Sequence, residues 1–504
     1  LMDFQSTVFE VESLGYEGLQ NGLVPLAPQT FLTDKTMISY LSRLNYGFSN
    51  RYNFSLSIRA DGSSVFINNK WAYFPAAAFG WNAHNEKFLK NVEAVSNLKV
   101  RLSYGQTGNA GIAPYASFGL MNPANYIFGN TTAAGLGSGS ITNPDLKWES
   151  TDQYNAGLEI GLFDNRINLT ADVYYKETSD LLLRMPLPLS SGFTSWLTNV
   201  GGVENKGVEL SLNTVNFDGA FKWSTDFNFS MNRNKVLSLG EALEQTFDDQ
   251  FSNGQSTGLL RVGESLGNWL GYQTDGVFTY EDFIDPTVSN PVLKPEVMEQ
   301  YAHGTSNASP VYGDLKYIDQ DGDNRITAAD ARIIARTQPK HFGSIFNNFS
   351  YKGFELGLFF TYKYGFDVVN GNRHRINATG GSNWNKTIER LDAWTPVNNT
   401  GRYPRADYLS DKKFTDLSVE DGSFVRFQSA NLSYQLPSKY VKDMGLSSLK
   451  IYSNIDNIYV WTKYSGYDPE VSVANGQRAI TSAGLDYGAY PRTLNVSFGV
   501  NVGF

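Results

Sequence analysis

Residues 154–175 read Tyr154-Asn155-Ala156-Gly157-Leu158-Glu159-Ile160-Gly161-Leu162-Phe163-Asp164-Asn165-Arg166-Ile167-Asn168-Leu169-Thr170-Ala171-Asp172-Val173-Tyr174-Tyr175. Apolar residues fall on every second position: Tyr154, Ala156, Leu158, Ile160 and Leu162, then Ile167, Leu169, Ala171, Val173 and Tyr175. Successive side chains of a strand point to opposite faces, so this pattern is that of two strands with one face in an apolar medium and the other in water. Asp164-Asn165 between them supplies the residues of a tight hairpin turn.

The pattern recurs along the chain, predicting about fourteen strands. They lie near 4–14, 36–48, 51–60, 73–82, 97–106, 151–162, 166–177, 205–215, 220–232, 342–350, 353–364, 423–435, 447–457 and 492–504. Connections after odd-numbered strands are long, the longest occupying 233–341, and those after even-numbered strands are mostly tight turns. A soluble sandwich gives no reason to sort loops by parity. A transmembrane antiparallel up-and-down β-barrel does, because short periplasmic turns alternate with long extracellular loops. Leu494, Val496, Phe498, Val500, Val502 and Phe504 then give the last strand a complete apolar stripe ending in an aromatic residue. The expected fold class is therefore all-β, with the segment 233–341 inserted as an extracellular loop in a barrel unit spanning residues 1–504.

Composition agrees with this reading. Aromatic residues make up 14% of the 504 residues, charged residues only 18%, and there are 47 glycines. Soluble domains are about 25% charged. No run approaches the roughly 18 to 20 uninterrupted apolar residues of a membrane-spanning helix, a test that does not bear on barrels, whose strands are apolar at alternate positions only. A net charge of −9 with scattered Lys and Arg excludes the basic footprint of a nucleic-acid binder. The absence of cysteine removes thiol catalysis and thiolate metal sites. The four histidines, His84, His303, His341 and His374, form no metal-pair spacing, so the chain is not expected to be an enzyme. The run Gly135-Leu136-Gly137-Ser138-Gly139 reads as flexible loop rather than a phosphate cradle, since no helix follows it.

One motif has the spacing of a metal site. Asp319-Gln320-Asp321-Gly322-Asp323-Asn324-Arg325-Ile326-Thr327-Ala328-Ala329-Asp330 places carboxylates at positions 1, 3, 5 and 12 of a twelve-residue loop, the EF-hand order for Ca²⁺. Arg325 offers its backbone carbonyl at position 7, and Thr327 can hold a water at position 9. Two departures stand out: Asn324 replaces the usual Gly, and Asp330 replaces the longer Glu. The alternative is a solvated acidic turn before a short helix from Ala328 to Arg336. Strand-end aromatics such as Trp71, Tyr73, Trp81, Trp223 and Tyr459 read as interfacial girdles. Loop aromatics such as Tyr115, Tyr126, Trp384, Trp394 and Tyr467 are the better ligand-contact candidates.

Seven phrases in register resemble the SusC/RagA family of TonB-dependent outer-membrane transporters of Bacteroidota. They are Arg43-Leu44-Asn45-Tyr46, Ser57-Ile58-Arg59-Ala60-Asp61-Gly62-Ser63-Ser64-Val65-Phe66, and Tyr73-Phe74-Pro75-Ala76 leading to Gly80-Trp81; then Leu98-Lys99-Val100-Arg101-Leu102-Ser103-Tyr104-Gly105-Gln106-Thr107-Gly108-Asn109, Ile141-Thr142-Asn143-Pro144-Asp145-Leu146-Lys147-Trp148-Glu149, Asn205-Lys206-Gly207-Val208-Glu209, and Gly313-Asp314-Leu315-Lys316-Tyr317-Ile318-Asp319. The resemblance implies a barrel of about 22 strands closed by an N-terminal plug. It also implies import of oligosaccharides or peptides driven by TonB, a SusD-like surface lipoprotein as lid, and dimers of such pairs. The plug and TonB-contacting segment precede the barrel in that family, and this chain opens within an expected strand, Phe4 to Glu12, which makes it read as the C-terminal part of a longer barrel protein. Expected surroundings are outer-membrane lipid, with Asn155, Glu159, Asn168 and Asp172 lining a polar lumen. A passive porin and a structural scaffold share the same alternation and stay open.

Overall fold

The computed structural model describes residues 2–3, 6–9, 22–25, 29–30, 32–248, 256–288, 291–298, 300–302, 311–323, 325–377, 385–406, 413–443, 445–473 and 481–504. Thirteen strands form one antiparallel sheet in which each strand pairs with its neighbour in sequence. They are β1 (Met37–Phe48), β2 (Tyr52–Ser63), β3 (Trp71–Asn82), β4 (Val95–Asn109), β5 (Glu149–Leu162), β6 (Ile167–Ser179), β7 (Gly202–Asp218), β8 (Phe221–Ser238), β9 (His341–Tyr351), β10 (Phe354–Tyr364), β11 (Phe424–Gln435), β12 (Ser448–Thr462) and β13 (Asn495–Gly503). This is an up-and-down meander with the expected topology. The strand expected over 4–14 is the exception: it falls partly outside the described residues, and its described part, Ser6–Phe9, pairs with Gly22–Pro25 in a separate small sheet.

The five longest connections fall on one rim, as expected, although 64–70 on that rim is shorter than 83–94 and 436–447 on the other. One rim carries the connections 49–51, 83–94, 163–166, 219–220, 352–353 and 436–447; the other carries 64–70, 110–148, 180–201, 239–340, 365–423 and 463–494. Strand β8 continues six residues past the expected end at 232, so the longest connection begins at 239. Left-handed backbone lets the tight turns reverse the chain without splaying the strands. Lys352 and Gly353 have φ of 48° and 87°, and Phe163, Asp164 and Asn165 have φ of 53°, 56° and 60°. The hairpin after β5 therefore turns over four residues, centred on the expected Asp164-Asn165 pair.

Across β1 to β8 the two faces of the sheet differ in chemistry. Following the register from strand to strand, Tyr46, Phe54, Phe79, Leu102, Ala156, Val173, Val208 and Met231 form one row across β1 to β8. One residue away, on the opposite face, the row is Asn45, Ser55, Ala78, Ser103, Asn155, Tyr174, Gly207 and Asn232. Among the described residues no buried cluster includes a member of the apolar row, and Val173 at its centre is 51% exposed. A face this wide and apolar is matched by hydrocarbon rather than by water. Aromatic pairs mark its two margins. Tyr40 stacks on Trp71 and Tyr459 meets Trp461 near the long-loop rim, while Phe48–Tyr52, Trp223–Phe349 and Phe354–Tyr434 lie by the tight turns.

Buried cores lie in the long loops. Val65, Phe66, Ile112, Leu146, Trp148 and Leu197 knit the loops 64–70, 110–148 and 180–201 over Phe74 of β3. Trp269, Val369, Phe414 and Leu485 join the loops 239–340, 365–423 and 463–494. Backbone pairing reinforces that second core, because Val369 bonds in antiparallel fashion to Val419 and in parallel to Leu485. Trp269 Nε1 donates to the Ala483 carbonyl at 2.9 Å, and Arg405 pairs with Asp314 at 2.7 Å. These three loops are one co-folded cap.

Candidate functional site

Three places carry candidate functional residues: the acidic loop, the polar face of the sheet, and the mouth where long loops meet that face. In the acidic loop, Leu315–Ile318 is a strand that delivers Asp319 into a run of turns. Asp319 Oδ1 accepts from the amides of Asp321 and Gly322, Asp321 Oδ1 accepts from the amide of Asp323, and Asp323 Oδ1 accepts from the amide of Arg325. Each side chain thereby tightens the turn that follows it. Asp319, Asp321 and Asp323 are drawn together, with carboxylate oxygens within 4.8 Å of one another.

Asp330 does something different. It is buried, and its two oxygens accept from the amides of Gln320 at 2.8 Å and Thr327 at 2.7 Å, so it fastens the end of the loop to its start. Asn324 lies outside the described residues. The helix considered for 328–336 is not formed. A single 3-10 turn, Ala328–Asp330, leads into a strand, Arg332–Arg336, that pairs with Asn268–Gly271. β-Branched Ile333 and Ile334 suit a strand, and Ile334 packs on the Trp269–Phe414 core. The Asp323 amide lowers the Asp321 pKa, but desolvation and the carboxylates of Asp323, Asp330 and Asp319 outweigh it, and the carboxyl is held above its ordinary value. Crowded oxygen donors of this kind are what a hard divalent cation relieves.

The polar face gathers the expected lumen residues and adds cations that the sequence did not single out. Arg101 of β4 reaches Glu159 of β5 at 2.8 Å and Asp172 of β6 at 2.9 Å, and Lys99 stands 3.5 Å from Glu159. To reach Asp172 the guanidinium passes over Gly157. A Cβ there would stand 2.6 Å from Asp172 Oδ1 and 2.8 Å from Arg101 Nη2. Asn155 and Asn168 share this face, Asn168 opposite Asn213 of β7. Beside them lies a cavity of about 490 Å³ lined by Arg43, Asn45, Asn53, Lys99, Arg101 and Asn155 among others. Opposite charges two strands apart leave no local trace in sequence; only the register brings them together.

At the mouth, the aromatics divide. Trp394 is withdrawn as a ligand-contact candidate: it is 7% exposed and packs against Tyr280 and Tyr312 inside the cap. Tyr115 faces Phe118, and its hydroxyl accepts from the Asp34 amide. Trp384 and His303 lie outside the described residues. Tyr126 and Tyr467 are exposed. The glycine-rich run is more ordered than a flexible loop, since Leu136–Ser138 pairs with Met121–Pro123 in a projecting hairpin; glycine's lack of a side chain does not prevent it from closing a ladder whose partner supplies the bonds.

Known proteins share this architecture. The family described as TonB dependent receptor-like, beta-barrel matches residues 11–284. TonB-dependent receptor P3 of Formosa agariphila is 34% identical over 507 residues, covering 98% of this chain and 48% of its own length. TonB-dependent receptor SusC of Bacteroides thetaiotaomicron is 28% identical over 495 residues, covering 94% of this chain and 44% of its own length. Among solved structures, the RagAB peptide importer in its closed-closed state superposes with a TM-score of 0.79 at 26% identity, over 99% of this chain and 51% of the other. The chain spans about half the length of the curated relatives it matches.

Proposed function

Because the chain belongs to the TonB-dependent receptor-like β-barrel family, we propose that it forms barrel wall and outer cap of a transporter that imports a nutrient oligomer across the outer membrane of a Bacteroidota cell. The observation that carries this reading is the pair of rows one residue apart, apolar toward hydrocarbon and polar toward a lumen, joined by connections of which the five longest all lie on one rim. A plug in the whole protein closes the lumen and couples it to TonB, and a SusD-like lipoprotein meets the long-loop rim as a lid. Likeness to the RagAB peptide importer supports a two-component assembly of that kind. Pairs of transporter and lipoprotein associate as dimers.

The test is uptake in the native host, using labelled oligosaccharide or peptide mixtures. Removing either this protein or TonB is expected to reduce uptake of the same ligand to background. Uptake that depends on this protein and persists without TonB would make it a passive porin. Stable membership of an outer-membrane complex with no uptake defect would make it a scaffold.

We further propose that the loop 319–330 binds one Ca²⁺ as a structural ion. Asp319, Asp321 and Asp323 hold it, with the Arg325 carbonyl as a further donor, and Asp330 ties the loop shut. The ion supplies charge neutralisation at the crowded carboxylates and takes no part in transport chemistry.

A further inference from the structure

The apolar face is not smooth. Where short side chains fall among rings, a groove of about 870 Å³ opens on it and reaches from β2 to β6. Ala77 and Ala156 are its low points, and the ring pairs Phe54–Phe79, with centroids 5.1 Å apart, and Tyr104–Tyr154, at 5.0 Å, stand up beside them. Register causes this, because Ala77 is set directly against Tyr104 and Ala156 against Leu102. Four steps between neighbouring strands, at about 4.8 Å each, give the groove a length of about 19 Å. One leaflet of a hydrocarbon core about 30 Å thick is about 15 Å deep, so the groove matches a single acyl chain.

At its β6 end the groove stops at Tyr175, whose cross-strand partner on β7 is Lys206, and Lys206 in turn pairs in register with Arg233 of β8. The row thus passes from rings to cations within one strand, on the side of the long loops. Lys206 is exposed, and its carboxylate partner among the described residues is Glu204 at 3.3 Å. Arg233 uses Nη1 alone, donating to the carbonyls of Asn232 at 2.9 Å and Lys340 at 2.6 Å, and meets no carboxylate among the described residues. Lys235, also exposed, stands across from Glu204. The other acids nearby are already engaged, since Glu177 accepts from Tyr175 Oη at 3.0 Å and Asp152 from Tyr104 Oη at 2.7 Å. Lys206, Arg233 and Lys235 therefore present donors that no carboxylate saturates. A hydrocarbon chain carrying an anion at one end is complementary to groove and cations together, whereas a second copy of this chain, offering its own apolar face, brings no anion to them.

We infer that the groove is a lipid site: it holds one acyl chain of an outer-leaflet lipid, whose headgroup phosphate is bound by Lys206 and Arg233. The site rests on the membrane-facing assignment of this row and not on import. The experiment is native mass spectrometry of the full-length protein in detergent, titrated with bis-phosphorylated lipid A and with the same lipid stripped of its phosphates. Wild type is compared with Lys206→Gln combined with Arg233→Gln, with Ala77→Phe, which fills the groove, and with Lys222→Gln, a cation by the tight turns, as control. One retained lipid A is expected, bound about ten-fold more weakly by the double variant and by Ala77→Phe and unchanged in Lys222→Gln. Wild type is expected to bind the dephosphorylated lipid as weakly as the double variant binds lipid A. Equal retention of lipid A by wild type and the double variant overturns the phosphate contact, and retention unchanged in Ala77→Phe overturns the groove. A dimer that Ala77→Phe abolishes, with no retained lipid, replaces the lipid by a second copy. Each of these failures leaves the import reading standing. Ala77 is exposed, so its variant is expected to fold, which electrophoretic heat-modifiability checks; Ala156→Leu supplies the same reading should it not.

Discussion

Replacing Val173 by arginine separates a membrane barrel from every water-soluble alternative. Val173 lies midway along β6, 51% exposed, in the row that runs Leu102, Ala156, Val173, Val208. On a water-facing sheet, an exposed valine exchanged for arginine changes stability by no more than about 0.5 kcal/mol. At the midplane of a bilayer the guanidinium must leave water, and the cost is about 2–4 kcal/mol. Thr170, three residues earlier, serves as the control. It opposes Glu159 of β5 and Ser211 of β7 on the polar face, so an arginine there meets water and a carboxylate. The assay is reversible urea unfolding of the full-length barrel refolded into phospholipid vesicles, followed by tryptophan emission. Val173→Arg is expected to lower the unfolding free energy by at least about 2 kcal/mol, roughly thirty-fold in the equilibrium constant, and Thr170→Arg to leave it within about 0.5 kcal/mol. Equal effects from the two substitutions would refute the assignment of faces.

In the acidic loop, Asp321→Ala with Asp323→Ala is expected to abolish Ca²⁺-dependent protease resistance of residues 310–340; a cleavage pattern indifferent to chelator and to both substitutions would leave only a turn. Gly157→Val places side-chain atoms where the Arg101–Asp172 contact lies and is expected to destabilise the sheet by about 1–3 kcal/mol, whereas Gly80→Ala, whose nearest neighbour is 3.8 Å away, changes stability little; similar unfolding midpoints for both variants would contradict this. Burial raises the Asp367 carboxyl above its ordinary value of 3.8, with the Arg336 amide partly opposing. A raised carboxyl stabilises the fold below its unfolded pKa and loses that contribution as pH rises through the folded value. Proteolysis of the cap is therefore expected to increase over that window, with a smaller pH dependence in Asp367→Asn; identical pH profiles would remove Asp367 from the account. Tyr464→Phe takes a hydrogen bond from buried Asp486 and is expected to loosen the segment Tyr464–Val471, which packs on Phe424 and Val460, seen as faster proteolysis near residue 467; unaltered cleavage there would show that the apolar packing alone holds it.

The sheet was legible because alternation is a local property that each strand carries in full. Tyr154 to Leu162 and Ile167 to Tyr175 can be read without knowing any partner, and neighbouring strands pair in sequence order, so topology follows. Strand ends were less legible. β8 runs on to Ser238 because Val203 to Val236 pairing continues above the membrane band, where alternation no longer marks a lipid face. The cap was opaque for the opposite reason. Its folding depends on distant partners, such as Val369 beside Leu485 and Arg332–Arg336 beside Asn268–Gly271, so short-range propensity reads Ala328 to Arg336 as helix. The acidic loop lay between these extremes. Its spacing revealed the cluster of Asp319, Asp321 and Asp323, but not that Asp330 is spent on two backbone amides. Loop aromatics carried no signal separating buried Trp394 from exposed Tyr467, since both lie in polar, turn-rich sequence.

The central claim is that the sheet spans the outer membrane with the long-loop rim outside. These 504 residues contain no cysteine, so single cysteines can be placed cleanly in a cysteine-free version of the full protein. Positions are Ser191 and Tyr467 in long connections, and Asn50, Gly219 and Lys352 in tight turns. Labelling intact cells with a membrane-impermeant maleimide is expected to modify the first two at once and the last three only after the outer membrane is permeabilised. Tight-turn cysteines that label on intact cells as fast as Ser191→Cys would contradict the topology and, with it, the account of import built on it.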